Sequence, residues 1–254
     1  MKVFIINLEK YAARKNHALN QCQNIGLQAE VFNAIDGRLL SPQDIKDQTH
    51  PELSAGLTES EIGCALSHQG VYQKMLSENI DVALVLEDDV QFDDNPCDII
   101  SYLVANIPKH PTLYLLSDVR KYLRGGKKIS ASEHKLVTVS QAALAHAYII
   151  NLSAAKKLYD FMNPVWLEAD RWTYLIECGV VDIKAVVPAV GHLSELSYES
   201  TIWHCEAELE RKKVIRELRK VTVNKIRKKR PLLIKVKNSM WRIFMRPFFE
   251  IKRD

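Results

Sequence analysis

Three acidic residues in a row, Glu87-Asp88-Asp89, close an apolar run of Val82-Ala83-Leu84-Val85-Leu86. Such a run suits a strand covered on both faces. The triplet would then stand at the strand's C-terminal end, where α/β sheets bind their ligands. Carboxylates two residues apart can face outward together there and hold a divalent ion. Oxygen-only ligands suit Mg²⁺ or Mn²⁺ rather than zinc. A cation so held neutralises the charge that develops on a diphosphate leaving group. A solvated turn is the competing reading of the same residues. Asp93, Asp94 and Asp98 add negative charge just behind, which either a cation or open solvent would relieve.

The elements that must position the triplet alternate strand and helix. Val3–Asn7 and Ala29–Asn33 read as strands flanking a polar helix over about Tyr11–Ile25, with Ile35-Asp36-Gly37 as a loop whose glycine is free to take a positive φ. Residues 41–57 read as loop with one helical turn. Thr58-Glu59-Ser60-Glu61 has the capping-box form and opens a helix to about Glu78. Ile99–Ile107 reads as helix and Thr112–Leu116 as strand, and Arg120–Glu133, with Gly125-Gly126, as a mobile loop. Leu136–Ser140 and Ala147–Ile150 follow as strands. Ser153 should cap a helix over Ala154–Met162, and Val181–Val187 should be a strand ending at Pro188. The alternation predicts an α/β domain with a mostly parallel central sheet.

The chain has 254 residues, 47% of them hydrophobic, enough for one large core. The apolar start, Val3–Ile6, is too short for a signal peptide or a span, and no run of about 18 apolar residues occurs. Cys22, Cys64, Cys97, Cys178 and Cys205 form no CxxC pair. They read as thiols in a reducing compartment, which points to the cytoplasm rather than to a disulfide framework or a zinc site. Net charge is unevenly divided. Residues 211–254 hold 17 Lys and Arg against three acidic residues, a net of +14, which leaves −10 on the rest. The expected boundary therefore separates residues 1–207 from a basic, helical extension, 208–254. Trp241, Phe244, Phe248 and Phe249 interleave with its cations. That pattern fits an anionic membrane surface better than nucleic acid.

Several stretches resemble glycosyltransferase family 25, the bacterial lipooligosaccharide and lipopolysaccharide β-galactosyltransferases and their relatives. They are Val3–Leu8 with Arg14, Val31–Gly37, Glu61–His68 and Ala83–Val90. Weaker matches are Ala147–Ile150, Ala169–Trp172 and Ser200-Thr201-Ile202. The resemblance runs in consistent order over about residues 1–205. It implies a GT-A-like, Rossmann-type fold, a UDP-sugar donor, a Mn²⁺-like ion and inversion at the anomeric carbon. UDP-galactose is the donor it implies first, with UDP-glucose the alternative. The acceptor would be a lipid-linked oligosaccharide, and the enzyme would sit peripherally on the inner face of the bacterial inner membrane.

The same resemblance places Glu87 and Asp89 at the metal and Asp88 beside the donor, with Arg14 against the diphosphate. Asn7 and Leu8 at the first strand's end, with Asp36 after the second, would border the uridine and ribose; Asp36 reads equally as a turn residue. His68 reads either as a donor-side contact or as a histidine satisfied in a helix–sheet interface. Asp170 is the candidate base for the acceptor hydroxyl, with Glu168 and Asp118 as alternatives. His192 is the candidate late metal ligand. Two other classes stay open on residues alone: a metal-dependent phosphohydrolase or nucleotidyltransferase, and a catalytically silent sugar-nucleotide-binding protein.

Overall fold

The computed structural model describes residues 1–93, 96–129, 132–196, 209–248 and 250–252. Asp94, Ser200-Thr201-Ile202, Cys205, Phe249 and the expected boundary at 207/208 lie outside them. The chain begins with β1 (Lys2–Asn7), α1 (Ala12–Asn24), β2 (Ala29–Asn33), α2 (Pro42–Gln48) and α3 (Glu59–Ser77). Next come β3 (Val82–Glu87), β4 (Val90–Phe92), α4 (Cys97–Ala105), β5 (Thr112–Leu115), β6 (Lys121–Leu123) and β7 (Lys127–Lys128). β8 (Lys135–Gln141), β9 (Ala147–Asn151), α5 (Leu152–Met162), α6 (Trp172–Cys178), β10 (Asp182–Val187) and β11 (Gly191–Leu193) follow. α7 (Leu209–Lys229), α8 (Leu232–Met240) and β12 (Ile251–Lys252) complete it.

One sheet runs β12-β6-β8-β10-β5-β9-β3-β1-β2, with β7 beside β8. β2, β1 and β3 pair in parallel, as do β5 and β10. β9 sits between β3 and β5, antiparallel to both, so all five of those strands point the same way. The central strands thus run mostly in one direction, as the alternation predicted, and β8, β6, β7 and β12 extend the sheet by antiparallel pairing. β11 and β4 form a separate two-stranded ribbon.

Side chains alternate between the two faces of the central strands. Phe4, Ile6, Val85, Tyr148 and Ile150 pack with Val71, Tyr72 and Met75 of α3 and Leu158 of α5. Val3, Ile5, Leu84, Leu86 and Ile149 face the other way, toward Ala18 and Cys22 of α1 and Leu103 of α4. The two buried layers explain why the strands read as unbroken apolar runs.

The capping box at α3 forms as expected. The Thr58 hydroxyl accepts from Glu61 N at 3.2 Å and the Glu61 carboxylate accepts from Thr58 N at 2.8 Å. Three local readings differ. Residues 42–48 are a helix, because Ser41 and Asp44 make a second capping box. Within 120–133 the chain pairs as β6 and β7 against β8. The α5 cap is Asn151, whose Oδ1 accepts from Ala154 N at 2.8 Å, while Ser153 Oγ donates to Lys109 O.

Candidate functional site

The parallel register sets Ile6 opposite Glu87 and Asn7 opposite Asn33, so the ends of β1, β2 and β3 meet at one edge of the sheet. A pocket of ≈120 Å³ opens there, roofed by α3. Leu8, Arg14, Asp36, His68, Glu87, Asp88 and Asp89 line it, all residues expected at the site. Tyr11, Ser60, Cys64 and Ser67 line it as well, and nothing in their types or spacing alone marks them for it. Asn7 reaches it through Asp88, donating from Nδ2 to Oδ2 at 2.6 Å. A larger hollow of ≈440 Å³ lies elsewhere, beside Tyr122, Lys135 and Pro188.

α3 approaches so closely because glycines meet there. A Cβ on Gly63 would fall 2.4 Å from both Gly37 N and Ile35 O, and one on Gly37 would fall 1.7 Å from Glu59 O. Gly37 is not among the residues with positive φ, so contact and not backbone conformation requires it. Ser67 Oγ accepts from Ile35 N at 2.8 Å and fixes the loop to the helix. Asp36 accepts from Arg38 at 2.9 Å and from Lys10, and Arg38 first, then Lys10, holds its carboxyl well below the usual range. Its side chain also caps the turn Gly37–Leu39, in accord with the turn reading of this residue.

The triplet divides by direction. Asp88 and Asp89 face α1, where the buried Arg14 guanidinium lies 2.5 Å from Asp88 Oδ1 and 2.8 Å from Asp89 Oδ2. Burial raises the Asp88 carboxyl against the pull of Arg14. Burial, then the neighbouring Glu87 charge, pushes Asp89 up to about 7. Glu87 faces α3 instead, with His68 Nε2 at 3.3 Å from its Oε1. Burial works to raise Glu87, but the His68 hydrogen bond and nearby positive charge outweigh it and hold the carboxyl low. His68 Nδ1 is fixed by Tyr148 Oη at 2.8 Å, which in turn meets Tyr72 Oη at 3.0 Å. His68 is thus both satisfied in the helix–sheet interface and presented to the pocket.

A divalent ion fits the Asp88–Asp89 side on one specific ground. Asp89 Oδ1 is buried and has no hydrogen-bond partner, an arrangement that costs free energy unless a cation or donor arrives. The expected late ligand His192 stands on β11 and is absent from the pocket lining. Its Nε2 is 3.2 Å from Asp93 and its Nδ1 3.4 Å from Asp118. Ser194, two residues on, is the one tied to the triplet, donating from N to Asp89 O at 2.7 Å.

Asp170 is absent from the pocket lining but near enough for its charge to act on Cys64, and it feels Glu87 in turn. Burial raises its carboxyl, with Leu144 N donating to Oδ2 at 3.3 Å. Glu168, an alternative base, is bound by Arg171 at 2.6 Å and Arg219 at 3.1 Å. Asp118 is held with His192. Arg219 comes from α7 and also grips Glu61 at 2.7 Å and Gly56 O at 2.9 Å. No local signal in a solvated-looking basic helix marks this contact, which spans 163 positions.

Residues 1–173 match the profile described as glycosyltransferase family 25 (LPS biosynthesis protein). The chain belongs to glycosyltransferase family 25. Among curated relatives, a glycosyltransferase 25 family member of Aedes aegypti is 30% identical over 167 residues, 62% of this chain and 28% of the relative. Procollagen galactosyltransferase 2 of Homo sapiens is 26% identical, covering 62% and 27%. An inactive glycosyltransferase 25 family member 3 of Mus musculus is 27% identical, covering 62% and 28%. The matched part thus spans under a third of these relatives' length. A solved glycosyltransferase that acts in glycosylation of the PBCV-1 major capsid aligns over 85% of this chain and all of its own, at 12% identity and a TM-score of 0.39. The galactosyltransferase LgtC, solved with donor and acceptor sugar analogues, covers 87% and 96%, at 12% identity and 0.33.

Proposed function

We propose that this glycosyltransferase moves a hexose, galactose first, from a UDP-sugar to a lipid-linked lipooligosaccharide or lipopolysaccharide core glycan, with inversion and with Mn²⁺ or Mg²⁺. The observation that carries the reading is the pocket at the ends of β1, β2 and β3, where Arg14 and the triplet converge. Family membership supports sugar transfer. The names of the procollagen galactosyltransferase relatives and the family description support galactose and the glycolipid acceptor respectively.

In this reading Asp89 would hold the ion through its buried, unpartnered Oδ1. A bound divalent ion supplies charge neutralisation for the departing UDP diphosphate. The chain's own residues do the rest. Arg14 keeps Asp88 and Asp89 in place and presents a fork that matches phosphate oxygens. Leu8, Tyr11 and the Ile35–Gly37 loop wall the nucleoside side. Asp170 takes the proton from the acceptor hydroxyl as it attacks. A carboxyl raised by burial is better matched to that task near neutral pH than an ordinary aspartate. The basic C-terminal segment holds the enzyme peripherally on an anionic, cytoplasm-facing membrane, near a lipid-linked acceptor.

The test is UDP release from a panel of UDP-sugars with Mn²⁺, with and without truncated oligosaccharide acceptors. Acceptor-dependent release, largest with UDP-galactose, is expected. No turnover of any UDP-sugar would leave a silent family member, as the inactive relatives are named.

A further inference from the structure

We propose that Cys64, His68 and Glu87 form a second cation site in this chain, selective for a borderline-soft divalent ion of the Zn²⁺ type and separate from the oxygen-only position at Asp89. The site goes beyond sugar transfer and does not depend on it. Cys64 and His68 are four residues apart on α3, so both point from one helix face. Glu87 meets them from the end of β3. The three ligand atoms, one sulfur, one nitrogen and one oxygen, all lie within 4.8 Å of one another. Tetrahedral zinc with such ligands holds them roughly 3.3–3.6 Å apart. The His68–Glu87 pair, at 3.3 Å, is already at that spacing, and the Cys64 sulfur lies within 4.8 Å of both ligand atoms.

Two further features favour an ion. His68 spends Nδ1 on Tyr148 Oη at 2.8 Å, which leaves Nε2 as the ligating nitrogen and fixes the ring's orientation. Holding the second nitrogen in this way is the usual support of a metal-bound histidine. All three residues line the open pocket, so a fourth position is left to water or to an incoming ligand, as in sites that exchange what they bind. Sulfur and imidazole nitrogen discriminate against Mg²⁺ and Mn²⁺, whereas Asp89 offers oxygen alone. The Cys64 thiol gives up its proton to solvent as the ion binds, because a coordinated sulfur is a thiolate. A Zn²⁺ ion here occupies the pocket beside the triplet and therefore obstructs whatever the pocket binds.

Cobalt(II) added alone to chelator-stripped full-length protein reads the site directly, since a thiolate ligand gives an intense near-ultraviolet charge-transfer band. The unaltered protein should show the band, and one equivalent of Zn²⁺ should abolish it. Cys64→Ser and Cys64→Ala should both lose it, Asp89→Asn should keep it, and Tyr148→Phe should weaken Zn²⁺ about tenfold. Far-ultraviolet circular dichroism confirms that each variant is folded. Absence of the band in the unaltered protein, its survival in a folded Cys64 variant, or its loss in Asp89→Asn overturns the proposal. No nucleotide sugar enters the experiment, so its failure and failure of the transferase reading are distinguishable.

Discussion

Asp89 is held between an arginine that favours its charge and two carboxylates that oppose it, in a place water barely reaches. Its carboxyl titrates near 7 when folded, against about 3.9 for an ordinary aspartate. A carboxyl with a raised native pKa binds protons more tightly in the folded state than in the unfolded one. Stability therefore falls as pH rises through the window from about 4 to 7 and stays lower above it. Asp89→Asn should raise the free energy of unfolding at pH 8 by about 1 kcal/mol or more, with little gain at pH 4. The same variant should lose transfer by roughly 100-fold or more. Denaturant unfolding at the two pH values, beside UDP release, measures both. A variant less stable at pH 8 would mean that the Arg14–Asp89 bond outweighs the repulsion. Asp170 as the proposed base gives a second pH signature: with its carboxyl raised by burial, transfer should climb as pH rises through a pKa above the usual aspartate range.

At the scale of elements, the site depends on how closely α3 lies on the Ile35–Gly37 loop. The atoms a Gly63→Ala side chain would meet are backbone and cannot rotate away, so helix and loop must part. Unfolding should cost about 1–3 kcal/mol less in that variant, with UDP affinity reduced, since the displaced loop lines the pocket. Calorimetric binding beside chemical denaturation checks this, and wild-type affinity would remove the loop from the nucleotide site. These elements were legible in sequence because their signals are local. β1, β3 and the Thr58 capping box each declare themselves within about eight residues. What was not legible is long-range. β9 reads as a strand, but nothing in Ala147–Asn151 says that it inserts antiparallel between β3 and β5. The residues of the triplet were legible, but not their division between α1 and α3. His192 was visible as a polar residue near a strand end, but its partners Asp93 and Asp118 lie 99 and 74 positions away. Cys64 and His68 stood at helical spacing in plain view, and lacked only Glu87 to give the pair a meaning.

Over the whole molecule, the basic C-terminal segment packs against the sheet domain. Arg219 neutralises Glu61 and Glu168 together, Ile226 is buried, and Asn238 of α8 donates to Glu177 O at 2.8 Å. Truncation after Ala207 would leave those two carboxylates without the guanidinium, so the shortened chain should unfold at a lower temperature than the full one. An unchanged unfolding temperature would make α7 and α8 a passive appendage. Beyond α7 several apolar residues turn outward: Leu233 is 82% exposed and Phe248 85%. No helix among the described residues is long and apolar enough to cross a membrane. Sedimentation with anionic vesicles should capture the protein, and Phe244→Ser with Phe248→Ser should release it. Equal capture by zwitterionic vesicles would contradict an electrostatic surface.

Transfer in the proposed manner requires the pocket at the ends of β1, β2 and β3 to bind the UDP diphosphate with a divalent ion at Asp89. Calorimetric titration of UDP into the full chain, with and without Mn²⁺, measures this. Binding that requires Mn²⁺ and is lost in Asp89→Asn, in a protein that remains folded, is the expected result. UDP binding that is indifferent to both the ion and Asp89 would contradict it.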